Sequence, residues 1–128
     1  MLIAAQSRKL SIVIVSPALA SANNGNWQTA KRYANMLSKN YSVRILQEWD
    51  GAQTDDVLIA LHARRSYPSI AAWHAARGSK GLVVVLTGTD LYRDIKQDPQ
   101  AQQSLVWAAR LVVLQEAGLA ELPAKLRD

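Results

Sequence analysis

The sequence predicts an α/β domain in which one parallel sheet of about five strands lies between layers of helix. Two observations carry that prediction. Several short segments are apolar from end to end, as strands are when helices cover both faces. Amphipathic segments with helical spacing separate them, and alternation of strand and helix marks a parallel sheet with right-handed crossovers. A chain of 128 residues fits one domain and is long enough to bury a real core.

The elements follow in order. Leu10 to Val15 reads as the first strand, because the run is short and β-branched and Pro17 closes it. Arg8-Lys9 before it, and Ala18-Leu19-Ala20 or Ala20-Ser21-Ala22 after it, also mimic a secretory signal; the brevity of the run favours the strand. A helix is expected from Trp27 to about Lys39, where Ala30, Tyr33, Ala34 and Leu37 form one apolar face. Ser42 to Leu46 alternates as a second strand. Val57 to Leu61 is a third strand, apolar throughout, and a helix from about Pro68 to Arg77 follows it. Leu82 to Leu86 is the fourth strand. The third helix starts near Asp98-Pro99, with Asp98 as its cap and Pro99 in its first turn, and reaches Ala109. Arg110 to Leu114 makes a fifth strand, and a short last helix spans about Glu116 to Leu122 before Pro123. The expected assembly is a Rossmann-like three-layer sandwich with strand order 3-2-1-4-5.

Composition narrows the function classes. The chain is 49% hydrophobic and 20% charged, which is globular. No apolar run reaches the ~18 residues of a membrane span. The net charge of +5 comes from 15 Lys and Arg against 10 Asp and Glu. Those basic residues are scattered, with no basic helix or zinc spacing, so the balance suits an anionic small molecule better than nucleic acid. Cysteine is absent, which excludes disulfides and thiolate metal sites and fits a cytoplasmic protein. No cluster has metal-ligand spacing, and no cofactor is expected.

Ligands of open parallel sheets bind beyond the carboxyl ends of the strands, so the segments just after each strand hold the candidates. After the first strand, Asn23, Asn24, Gly25, Asn26, Gln28 and Thr29 lead into a helix start, where unpaired N–H groups suit an anion or sugar hydroxyls. Asn26 equally suits a helix cap. After the third strand, His62 is a candidate proton carrier or hydroxyl ligand, or else a buried, hydrogen-bonded histidine. Arg64 and Arg65 offer forked contacts to phosphate-like oxygens, though neighbours in sequence point in different directions. After the fourth strand, Thr87, Gly88, Thr89, Asp90 and Arg93 combine close backbone approach with hydroxyl, carboxylate and guanidinium groups; Asp90 alternatively caps the next turn. After the fifth, Gln115 and Glu116 either contact a ligand or open the last helix. No GxGxxG fingerprint, Walker loop or GxSxG elbow is present.

Taken together, Asn23 to Ala30, Leu61 to Ser66, Leu86 to Asp94 and Leu114 to Glu116 resemble the selenosugar synthase family. More broadly, Asp56 to His62 and Val83 to Asp90 are similar to strands in the N-terminal half of GT-B glycosyltransferases. Where many relatives place a His before the glycine, this chain has Thr87. The resemblance implies the N-terminal domain of a GT-B fold, holding the acceptor, with the nucleotide-sugar domain beyond these residues. It implies transfer of N-acetylglucosamine, or a similar sugar, from a UDP-sugar to selenophosphate in selenoneine biosynthesis, forming a carbon–selenium bond. His62 and Asp90 would then orient sugar hydroxyls or manage a proton, while Arg64 or Arg65 and the Asn24–Asn26 amides hold the acceptor. The isolated domain is expected to be inactive and able to self-associate through the face its partner domain would cover. An oxygen-acceptor transferase and a non-enzymatic α/β ligand-binding module are the competing expectations.

Overall fold

The computed structural model describes residues 9–18, 25–88 and 90–114. Its strands are β1 (Ser11–Val15), β2 (Ser42–Leu46), β3 (Val57–Leu61), β4 (Leu82–Leu86) and β5 (Arg110–Val113). The helices are α1 (Gly25–Leu37), α2 (Tyr67–Arg77), α3 (Ile95–Gln97) and α4 (Pro99–Trp107), with a π-helical turn at Asp90–Asp94. All four strand pairings are parallel, running from Ser11↔Ser42 in β1–β2 to Leu86↔Val113 in β4–β5. The fold is the expected Rossmann-like α/β sandwich.

The strand order corrects the expectation of 3-2-1-4-5: it is β2-β1-β3-β4-β5. The physical reason lies in the side chains. β3 is Val-Leu-Ile-Ala-Leu and largely buried, so it needs cover on both faces and neighbours on both sides. β2 carries Arg44, leaves Ser42 exposed and buries none of its residues fully, which suits an edge. The correction moves the topological switch to the gap between β1 and β3.

That switch puts helices on opposite faces. On one face α1 packs over β1 and β2, burying Ile12, Ile14, Ala30, Leu61 and Val85 with Tyr33 and Leu37 against them. On the other, α2, α4 and the π-helical turn bury Val13, Val15, Leu58, Trp73, Leu82 and Val84. The second layer is locked by polar and aromatic contacts. His74 stacks on Trp107 at 4.4 Å between α2 and α4, and Trp73 donates to the Lys80 carbonyl at 2.8 Å.

Helix limits follow local chemistry. The Asp98 side chain accepts from the Ala101 N–H at 3.0 Å, with Pro99 in the first turn, as the sequence predicts. α1 begins two residues before the predicted Trp27. The expected last helix lies outside the described residues. Among the described residues, no helix is long and apolar enough to cross a membrane.

Candidate functional site

Parallel strands all end at the same edge, so the polar segments after β1, β3 and β4 are delivered together. Asn23, Asn24, Thr89, Gln115 and Glu116 lie outside the described residues. The other candidates fall into two groups along that edge, with Arg65 apart from both.

The first group belongs to α1. A cleft of about 480 Å³ is lined by Gly25, Asn26, Gln28, Thr29 and Arg32 from the helix, Thr87 from the end of β4 and Leu114 from the end of β5. Gly25, Gln28, Thr29 and Arg32 recur with the spacing that puts residues on one helix face. Arg32 escaped the sequence reading, although its position one turn beyond Gln28 was the available signal. A smaller cavity of about 150 Å³ adjoins it over Leu86, Thr87, Gly88, Leu91 and Tyr92. Thr87 and Leu114 border both.

The second group centres on the loop after β3. His62 takes a left-handed backbone, φ 80°, and is the one non-glycine residue with positive φ among the described residues. Its N–H still donates to Val85 and its carbonyl accepts from Ser66 at 3.0 Å, so the chain turns sharply while both backbone groups stay paired. The ring Nδ1 accepts from the Arg65 N–H at 3.0 Å, which places the proton of neutral His62 on Nε2. Ala63, next along, is held from both sides: its N–H donates to Asp90 at 2.9 Å and its carbonyl accepts from Ser104 of α4 at 2.7 Å. The loop that carries the arginines is therefore tied to three elements.

Asp90 is fully buried. One carboxylate oxygen accepts from the N–H groups of Thr87, Gly88 and Leu91, each at 2.9 Å, and the other from Ala63. Its oxygens thus face backbone donors that hold the loops after β3 and β4 together. It is the turn-capping alternative, extended to the loop after β3. His62 is buried too, at 2% exposure, and matches the alternative of a hydrogen-bonded interior histidine.

The two arginines diverge, as neighbours in sequence should. Arg65 is exposed and lines a separate cleft of about 410 Å³ with Pro17, Gln47, Glu48, Pro68 and Ser69. Arg64 turns toward the π-helical turn, where its Nε donates to Asp94 Oδ2 at 3.0 Å. Arg93 Nε donates to the other oxygen, Oδ1, at 3.2 Å. His62 Nε2 lies 3.8 Å from Oδ2, too long for a hydrogen bond. Asp94 is the residue the sequence concealed: nothing local marks it, because Arg64 is distant in the chain and meets it only in the fold.

These contacts set the charges. Burial works to raise the Asp94 carboxyl, but hydrogen bonds from Arg64 and Arg93 outweigh it and hold the group below its ordinary value. Burial lowers His62, reinforced by Arg65 and Arg64 and opposed by Asp90 and Asp94. At neutral pH the ring is uncharged. The cluster is then two guanidiniums around one ionised carboxylate.

No family model matches the chain, and no curated protein does. Among the described residues there is no group of three or more His, Cys, Asp or Glu that could hold a metal ion. What the edge offers is amide and hydroxyl groups in one cleft and fixed guanidiniums beside a buried carboxylate. Donors and positive charge of this kind suit an anion, and His62 and Asp90 are both buried.

Proposed function

We propose that this chain is the acceptor-side domain of a GT-B-type glycosyltransferase of the selenosugar synthase kind, working in the cytoplasm. One observation supports the reading above the others: three of the segments that carry the resemblance meet at the carboxyl edge of the sheet, where they border clefts and present arginine. In the proposed reaction, selenium of selenophosphate attacks the anomeric carbon of a UDP-sugar of the N-acetylglucosamine type. A carbon–selenium bond forms, the bond from that carbon to the diphosphate oxygen breaks, and UDP leaves with the electron pair. Selenophosphate is already an anionic, soft nucleophile, so the buried state of His62 and Asp90 is compatible with it. The domain's task is positioning and charge compensation. The nucleotide sugar would be held largely by a further domain, and self-association through the uncovered face is part of the same reading, checked by light scattering across concentrations.

The test is an assay with UDP-N-acetylglucosamine and selenophosphate, using the chain joined to a nucleotide-sugar domain. UDP release together with a selenium-bearing sugar by mass spectrometry is the expected outcome. Asn26→Ala and Arg64→Ala should each lower the rate by about 10-fold or more. Turnover of hydroxyl acceptors in place of selenophosphate would reassign the enzyme to oxygen transfer. Activity unchanged in both variants would sink the reading of this edge as the acceptor site.

A further inference from the structure

The pairing of Arg64 and Arg93 on Asp94 exceeds what burying one carboxylate requires. A single guanidinium neutralises it, yet two are present, one on each oxygen. Both use Nε for the contact. In each, the outer nitrogens have no partner among the described residues, and the side chains remain 34% and 58% exposed. Sharing one carboxylate keeps the two groups side by side, within the span of that carboxylate and two hydrogen bonds. Asp94 itself is only 4% exposed, so the anchor is interior while both arginine side chains reach solvent.

The supports are rigid. Arg64 stands on the loop that Asp90 and Ser104 hold through Ala63. Arg93 stands on the π-helical turn, whose wider ring re-aims side chains and recurs at functional sites. Within that turn Tyr92 N–H donates to Gly88 at 3.0 Å, and Asp94 sits directly after Arg93. An arginine's planar fork matches tetrahedral oxyanions in a way that lysine does not. Two forks fixed by their Nε atoms lose little freedom on binding, which favours a preorganised site.

We propose that Arg64 and Arg93, positioned by Asp94, form a clamp for a doubly charged tetrahedral oxyanion of the phosphate class. The pair carries one net positive charge after Asp94 is counted, and its outer nitrogens supply donors to several oxygens of one anion. This deepens the acceptor reading above, and rests on it for which phosphate-class anion is the natural one. Asp94 is a positioning residue in this arrangement, while Arg64 and Arg93 make the contacts.

Inorganic phosphate is the probe, followed through the arginine Nε–Hε signals in nitrogen–proton correlation spectra of the whole chain. Those of Arg64 and Arg93 are assigned by their loss in Arg64→Lys and Arg93→Lys. Phosphate should shift both signals together with one saturation curve. Arg93→Lys should weaken binding by about 10- to 100-fold with an unchanged far-ultraviolet circular dichroism spectrum. Asp94→Asn should weaken binding and uncouple the two signals; if it does not fold, Arg93→Gln, at an exposed side chain, should leave the Arg64 signal shifting only at higher phosphate, and an unchanged Arg64 curve would overturn the clamp. Phosphate that shifts neither signal, or shifts only Arg32 or Arg65, overturns the clamp. So does wild-type affinity in Arg93→Lys. Phosphate binding at the pair with no sugar transfer in the assay above would keep the clamp and remove the transferase reading. Sugar transfer indifferent to Arg93→Lys would do the reverse.

Discussion

His62 stands where strand ends and site begins, and most of what it does is conformational. A left-handed backbone in a residue with a side chain costs on the order of 1–3 kcal/mol, retained here because the ring Nδ1 takes the Arg65 N–H. His62→Ala removes that acceptor and keeps the strain, so a loss of about 1–3 kcal/mol in unfolding free energy is expected from denaturant titration. Its protonation gives a pH signature. The folded protein binds the His62 proton more weakly than the unfolded chain does, because burial and Arg65 and Arg64 outweigh Asp90 and Asp94. This contribution to stability is complete above the unfolded value of about 6.5 and is lost as pH falls below it toward the folded value. Thermal midpoints should therefore fall between pH 6.5 and the lowered value by more in the wild type than in His62→Gln. Asp90→Asn is expected to be severe. It places an amide against N–H groups of Thr87, Gly88, Leu91 and Ala63 that need acceptors, for a loss of about 2–4 kcal/mol. A midpoint equal to wild type would show that the buried carboxylate is not what joins β3 to β4.

Elements were legible where the code is local. Apolar runs located β1, β3, β4 and β5, alternation located β2, and Asp98-Pro99 located the start of α4 because cap and first turn are chemistry of adjacent residues. The π-helical turn at Asp90–Asp94 was not legible: it has no periodicity of its own and forms where Asp90 draws the chain back onto β3. Gly81 shows local and tertiary demands meeting at one position. Its φ is 74°, and an added Cβ would fall 2.4 Å from the Asp56 carbonyl oxygen, at the start of β3. Gly81→Ala is therefore expected to lower unfolding free energy by about 2 kcal/mol or more, through backbone strain and displacement of a neighbouring strand. A change near zero in chemical denaturation would mean that the β3–β4 approach can relax.

Across the whole molecule, strand order decides which backbone is deepest. Among the described residues β1, β3 and β4 are each paired on both sides, while β2 and β5 are each paired on one. Amide hydrogen exchange should accordingly be slowest in Val13, Ile59 and Val84 and faster in β2 and β5. Stronger protection in β2 than in β3 would restore the order first expected from the sequence. The difference was partly available beforehand, since the unbroken apolar run of β3 has no place on an edge whereas Arg44 in β2 does.

The residues alone determined the class of fold and that the polar segments share one edge, because apolar periodicity reports two-sided burial and parallel strands all end on the same side. They also singled out His62, Arg64, Asp90 and Arg93 as chemically notable. Which of these would be buried and which would be paired was decided by tertiary structure. Asp90 and His62 went inward, Arg64 and Arg93 were gathered on Asp94, and Arg32 joined the α1 cleft. The reason is physical: a side chain's type is local, but its partner is chosen by contacts between positions far apart in the chain, and those exist only once the sheet has closed.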